Sequence, residues 1–263
     1  MNQSVWSDSM DVLFLRWTSN TNLTSLAGTV SLRNLQTLTL AAVGDLSTSL
    51  LEQISACSRV LRFPSLTRLV IFAGMAYPAL VSTVDFRDVL RPFRSSVNMR
   101  EIYIQLPSFE MAFCDDDFDY MLEVWSLLTL LHVSFVTPPT SSLTQPYPDL
   151  RHIIEDTHAR CPHLSTLHLP AIAAYSHHNI PFVLQPPSLH SRFRFSSDIL
   201  VLEHPPYEVA FHLASTFPRY MPIRTHFIVG TFWSVVVPLV KMVQFDAMLE
   251  DVEVSDWRME LEE

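Results

Sequence analysis

"HARCPHLSTLHLP", residues 158–170, is the stretch that decides the fold of this chain. Its three leucines, Leu164, Leu167 and Leu169, follow the spacing LxxLxL. Side chains alternate between the two sides of a strand, so the last two leucines are predicted to point into a core. Thr166 and His168 then point the other way, to an open face. We therefore interpret the concentration of His and Cys here as part of a structural unit and not as an active site.

The same spacing recurs along the chain. Its first apolar position falls at Leu35, Leu66, Met99, Leu128 and Leu164, which gives steps of 31, 33, 29 and 36 residues. A repeat with one such apolar strand in each unit indicates leucine-rich repeats, and because these steps exceed the commonest repeat lengths, the connecting segments are expected to be irregular and partly helical. We expect weaker copies in "VLFLRW" (12–17) and in "SSDILVLEH" (196–204), where Ile199 and Leu202 take the apolar positions.

The segments between these strands carry apolar residues at helical spacing. They are residues 45–61, 85–93, 115–128 and 147–161. The predicted fold is thus α/β: a leucine-rich-repeat solenoid with a curved parallel sheet on one face and irregular helices on the other. We divide the chain into a partial N-terminal repeat or cap (1–30), leucine-rich repeats (31–222), and a C-terminal cap with an acidic tail (223–263).

Composition restricts the classes of partner. The formal net charge of -10 argues against nucleic acid, because phosphate backbones are repelled on average. The apolar run at 227–240 is shorter than the roughly 20 residues of a membrane-spanning helix, so we expect no membrane partner. Three widely spaced cysteines and the lack of a signal-peptide pattern favour reduced thiols in the cytoplasm or nucleus.

No motif for catalysis, cofactor binding or metal binding stands out. The four glycines, Gly28, Gly44, Gly74 and Gly230, are too dispersed for a phosphate-binding loop. His158 and Cys161 form a single half-site, whereas zinc needs four close ligands. "CDDDFD" (114–119) lacks the glycine and glutamate of a calcium loop and is interpreted as the capped start of a helix. We therefore predict no enzyme activity, no cofactor and no metal.

Four phrases carry a resemblance to a known family. "CPHLSTLHLP" (161–170) resembles the repeat region of fungal F-box leucine-rich-repeat proteins, especially those of mushroom-forming fungi. "FPSLTRLVI" (63–71) is similar to the start of an earlier strand in that family. "YEVAFHLASTFPRYM" (207–221) and "THFIVGTFWSVVVPLV" (225–240) are similar to its late helix and closing block. The resemblance spans roughly residues 31–240.

The resemblance implies substrate recognition for ubiquitin ligation. In that family an F-box helix bundle binds the adaptor Skp1, and the repeats hold the target. Residues 1–30 lack the leading Leu-Pro and the helical pattern of an F-box, so a Skp1-type adaptor is expected as a partner only if an F-box lies upstream. Two alternatives stay open: a repeat protein without a ligase link (or a truncated remnant), and a His/Cys metal-dependent enzyme.

A protein partner is expected to bind the outward positions of the strands, because a repeat sheet presents them as one surface. Aromatic and apolar side chains there would anchor the partner, and charged ones would add specificity. The predicted partner-binding residues are Arg68, Val70, Glu101, Tyr103, His132, Thr166 and His168. The identity of the target is left open.

Overall fold

Parallel strands form one sheet in the part of the chain that the structure describes. The computed structural model describes residues 11–16, 34–42, 51–54, 63–74, 80–81, 85–138, 147–174 and 194–202, with a few single positions between 207 and 242. Its strands are β1 (Val12–Arg16), β2 (Thr37–Ala42), β3 (Arg68–Ala73), β4 (Leu80–Val81), β5 (Glu101–Glu110), β6 (Leu130–Val136), β7 (Thr166–Ala174) and β8 (Arg194–Leu202).

The strands lie side by side in chain order. Seven follow the order β1-β2-β3-β5-β6-β7-β8, and the two-residue β4 pairs with the far end of β5. Leu38, Leu69, Ile102, Leu131 and Leu167 occupy one row across neighbouring strands, and all five are buried. The prediction of an α/β fold with a parallel sheet is confirmed, and the five triplets are neighbours in it.

The two weaker copies also form strands, one of them in an unexpected register. In β1, Leu13 pairs with Leu38 and Leu15 with Leu40, as the triplet spacing requires. In β8, Phe195 pairs with Leu167, whereas Ile199 pairs with Ala171 and Leu202 with Ala174. Ile199 packs in a smaller cluster with Tyr147, Ala171 and Ala173, whereas Phe195 and Leu200 join the main core.

A repeated hydrogen-bond pattern marks the start of each strand. The carbonyl oxygen of Gln36 accepts hydrogen bonds from the backbone N–H groups of Thr67 (2.8 Å) and Arg68 (2.9 Å), and from the Thr67 hydroxyl (3.1 Å). Three units later, the Thr129 carbonyl accepts hydrogen bonds from the backbone N–H groups of Ser165 and Thr166 and from the Ser165 hydroxyl. Equivalent residues of successive units therefore bond in the same way.

Helices connect several of the strands. They are α1 (Phe86–Leu90), followed by a 3-10 turn (Arg91–Phe93), α2 (Asp115–Val124) and α3 (Leu150–Arg160). Their apolar sides pack on the sheet through residues such as Phe86, Phe118 and Ile153, all buried. The predicted helix over 45–61 lies outside the described residues apart from 51–54, which are helical. The C-terminal cap and acidic tail (223–263) also lie outside them, apart from residues 238–239 and 242.

The acidic stretch at the start of α2 joins two neighbouring units. Asp117 accepts a hydrogen bond from the Cys114 backbone N–H (3.0 Å) and another from Arg87 Nε (2.6 Å). Arg87 also pairs with Asp116 at 3.3 Å. Asp117 is buried, so its carboxylate is held by protein donors rather than by water. The stretch starts the helix, as predicted, and also connects it to α1.

Candidate functional site

One side of the sheet faces away from the main core, and we call it the open face. Its side chains alternate with the buried leucines, and most are partly exposed. Val70, Tyr103, His132 and His168 form one row across β3, β5, β6 and β7. Arg68, Glu101 and Thr166 occupy the row beside it. The structure therefore places all seven predicted partner-binding residues on the same side of the sheet.

Three of these side chains stack ring against ring, and we call them the ring row: Tyr103, His132 and His168. The ring centroids of Tyr103 and His132 are 4.3 Å apart, with an angle of 10° between the planes. His132 and His168 repeat this arrangement at 4.3 Å and 13°. Neighbouring strands lie about 4.8 Å apart, so equivalent residues of successive units are naturally spaced for stacking. The repeat thus produces the ring row directly.

His168 differs from the open, exposed residue that its position in the strand suggested. Only 8% of its surface is exposed. Its Nδ1 lies 2.7 Å from Ser196 Oγ, and its Nε2 lies 3.1 Å from Asp198 Oδ1. A carboxylate only accepts hydrogen bonds, so Nε2–H donates to Asp198, and in the neutral ring Nδ1 accepts from the Ser196 hydroxyl. The neighbouring strand covers this end of the ring row.

Sequence reasoning missed the polar partners of His168. Ser134 donates a hydrogen bond to Asp198 Oδ2 at 2.7 Å, which completes a network across β6, β7 and β8. Ser134 lies two residues after His132, on the same side of its strand, and alternation alone was enough to place it there. Ser196 and Asp198 needed the register of β8, which the degraded triplet did not reveal.

His132 is held in its neutral form. Burial and, to a smaller extent, the nearby His168 lower its pKa to about 4, while the Asp198 carboxylate acts in the opposite direction. At neutral pH the ring is therefore uncharged, with one nitrogen that donates and one that accepts. Neither nitrogen forms a hydrogen bond with any described residue. Because the ring faces are stacked, a partner would meet the edge of this ring.

The open face also carries an ion pair in the row of side chains beside the ring row. Arg68 Nε lies 3.2 Å from Glu101 Oε2, and the two side chains are about half exposed. Exposed pairs of this kind contribute roughly 0–1 kcal/mol, so a partner can replace either member at little cost. This pair supplies polar contacts next to the apolar and aromatic ones.

The Ser196–His168–Asp198 contacts resemble those that activate a serine nucleophile in hydrolases. Such a nucleophile must be reached by the substrate. Ser196 is only 3% exposed and lies within a sheet strand. We interpret the three residues as a network that fixes the orientation of the His168 ring at the end of the ring row.

A second polar cluster lies on the helices. Asp119, His152 and Asp156 hold their ligand atoms within 4.8 Å of one another, a spacing that a metal ion can bridge. Arg160 already pairs with Asp119 at 3.2 Å and with Asp156 at 3.0 Å. A metal would have to displace this guanidinium, so we interpret the cluster as a salt-bridge network that joins α2 to α3.

The half-site of His158 and Cys161 gains no support from its surroundings. Cys161 ends α3, is fully buried, and directs its thiol to the Trp125 carbonyl oxygen at 3.4 Å. Burial raises the pKa of this thiol to about 11, so it stays protonated and is a poor metal ligand at neutral pH. The consecutive pair His177–His178, which is close in sequence and could supply further ligands, lies outside the described residues.

Comparisons of the chain with protein-family models, with curated proteins and with solved structures found no match. Within the described residues, no helix combines the length and the apolar character needed to cross a membrane. The function is therefore inferred from the geometry of the open face.

Proposed function

We propose that this chain is a leucine-rich-repeat solenoid that acts as a non-enzymatic protein-interaction module, with its partner bound on the open face. The ring row carries the proposal. Tyr103 and His132 are partly exposed and rigidly stacked, and they lie next to the Arg68–Glu101 pair. Rigid aromatic groups next to polar ones favour protein recognition, because little side-chain entropy is lost on binding.

Two observations support the repeat architecture. The apolar triplets recur every 29 to 36 residues and lie on adjacent parallel strands. The carbonyls of Gln36 and Thr129 bond to the next unit through the same set of donors. A structure in which each unit mainly contacts its neighbours is expected of a solenoid.

The ligase role rests on the resemblance to fungal F-box proteins. In this proposal the open face holds the target, and a Skp1-type adaptor binds only if an F-box lies upstream of Met1. A repeat protein without that link is the alternative, and we place either one in the cytoplasm or nucleus. The genomic sequence just upstream of Met1 separates the two, since an in-frame F-box there supports the ligase role.

Selection from a random peptide library displayed on phage tests the binding role. We expect selection on the purified wild-type chain to enrich specific peptides. These peptides should bind the Tyr103→Asp variant at least about tenfold more weakly than the wild type. The substitution removes one ring of the ring row and adds a charge on the open face. A loss of about 1.4 kcal/mol of binding free energy lowers the affinity tenfold.

Leu127→Asp is the matched control. Leu127 is also partly exposed, but it lies in the turn before β6 rather than on the open face. Binding by this variant should equal that of the wild type. Selected peptides that bind Tyr103→Asp as tightly as the wild type would contradict the proposal.

A further inference from the structure

On the open face, the outward side chains of β2 are smaller than those of the strands on either side, and we call this strip the β2 trough. Its floor is the row of small outward side chains along β2: Thr37, Thr39 and Ala41. The flanking strands β1 and β3 pair with β2 in register and carry larger side chains at the same levels. Phe14 and Val70, for example, stand on either side of Thr39. A short side chain between two longer ones leaves a depression in the surface.

The walls of the trough are unusually apolar for a surface. Val12 is 60% exposed, Phe14 is 64% exposed and Phe72 is 37% exposed. Single exposed apolar side chains are ordinary, but three on the walls of one trough form a patch that water solvates poorly. The patch indicates contact with apolar groups of a partner.

The charged residues of the trough are positive, whereas the net charge of the chain is negative. The whole protein has a formal net charge of -10, yet the charged residues of the trough are Arg16 and Arg68. Arg16 forms no ion pair with a described residue. The pair between Arg68 and Glu101 is exposed and therefore weak. A negatively charged partner finds complementary charge here and repulsion over most of the molecule.

The positions of the two arginines define a distance along the trough. Arg16 lies level with Ala41 and Arg68 level with Thr37, so they mark the two ends of the floor on opposite walls. Four residues along a strand correspond to about 13 Å. An extended peptide repeats its side-chain direction every second residue, so residues i, i+2 and i+4 reach the same trough.

From this arrangement we infer that the β2 trough binds an extended peptide segment of the partner in which an aromatic side chain is flanked, two residues away on each side, by Asp or Glu. The inference rests on the proposed function and specifies the class of segment that the open face recognises. The aromatic ring packs between Phe14 and Val70, and the two carboxylates pair with Arg16 and Arg68.

Three fluorescein-labelled peptides test this specificity by fluorescence anisotropy at low ionic strength. The first is Gly-Ser-Glu-Ser-Phe-Ser-Glu-Ser-Gly, the second has Lys in place of both Glu residues, and the third has Ser in place of Phe. We expect the first to bind at least tenfold tighter than either of the others. The net charge of the protein alone would favour the Lys peptide, so this order requires a local basic site.

Substitutions in the trough provide the second arm. Phe14→Ser and Arg16→Gln should each weaken binding of the Glu–Phe peptide at least threefold. Arg91→Gln is the matched control, because Arg91 is similarly exposed but lies beside α1. Arg16→Glu should reverse the charge preference toward the Lys peptide. Phe14 and Arg16 are exposed and lie outside the core, so these variants should keep the fold.

Two results would overturn the assignment: no binding of the Glu–Phe peptide, or binding that Phe14→Ser and Arg16→Gln leave unchanged. The random-library selection separates this failure from failure of the proposed function. If library peptides depend on Tyr103 while the Glu–Phe peptide does not bind, the trough assignment is wrong and the interaction role stands. If no selected peptide depends on an open-face residue, the proposed function fails as well.

Discussion

His132 shows how a single residue inherits its chemistry from the repeat. Strand alternation places it on the open face, and strand register places its ring between Tyr103 and His168. Burial between two rings disfavours a positive charge, and for this reason its pKa falls to about 4. The centre of the ring row, His132, is therefore uncharged at neutral pH.

This environment predicts a pH dependence of stability. The pKa of His132 is about 4 in the folded chain, against about 6.5 for an ordinary histidine, so the unfolded chain takes up the proton first as pH falls. The wild type should lose on the order of 2 kcal/mol relative to His132→Phe between pH 7 and pH 4.5. Urea unfolding at the two pH values measures this difference. Equal losses in both proteins would show that the histidine is not held neutral.

At the scale of the element, the inward leucines of the triplet strands could be predicted from a few letters of sequence. In β7, Leu167 and Leu169 are buried in the core and Thr166 is partly exposed, as the LxxLxL spacing indicated. The burial of His168 could not be predicted, because it depends on Ser196 and Asp198 from another strand. The register of β8 was also missed, since Phe195 precedes the degraded triplet and has no leucine spacing to mark it.

Adjacent residues of β7 provide a direct test of this alternation. Leu167→Asp places an unpaired charge in the core and should cost more than about 4 kcal/mol, enough to abolish cooperative folding of the surrounding units. Thr166→Asp is the matched control, because the same carboxylate then lies on the open face and should cost less than about 1 kcal/mol. Circular dichroism with urea unfolding compares them. A soluble, cooperatively folded Leu167→Asp protein would mean that Leu167 does not face the core.

At the scale of the molecule, the parallel pairing of neighbouring strands explains both the core and the open face of the described residues. Each strand bonds to the next in the parallel register, so one row of side chains is buried continuously, while the next row lies on the open face and is partly exposed up to His168, which is buried. The period of the apolar triplets predicted this arrangement because it reflects local geometry that every unit repeats. The side chains in the outward rows differ from unit to unit. Their contacts could not be predicted from the sequence, because they depend on the register of all the strands.

The central claim is that neighbouring strands hold Tyr103 and His132 directly opposite each other on the open face. Disulfide formation under mild oxidation, followed by mass spectrometry, measures this most directly. Opposite residues on adjacent strands lie within the roughly 4.4–6.8 Å between Cα atoms that a disulfide spans, whereas a partner two residues further along lies about 8 Å away. The buried thiols of Cys114 and Cys161 each have a pKa raised to about 11 and should react slowly.

We predict that the double variant Tyr103→Cys with His132→Cys closes a disulfide nearly completely in the folded protein, and that Tyr103→Cys with Ser134→Cys does not. The opposite order, or equal closure of the two pairs, would contradict the register on which the ring row and the proposed binding face depend.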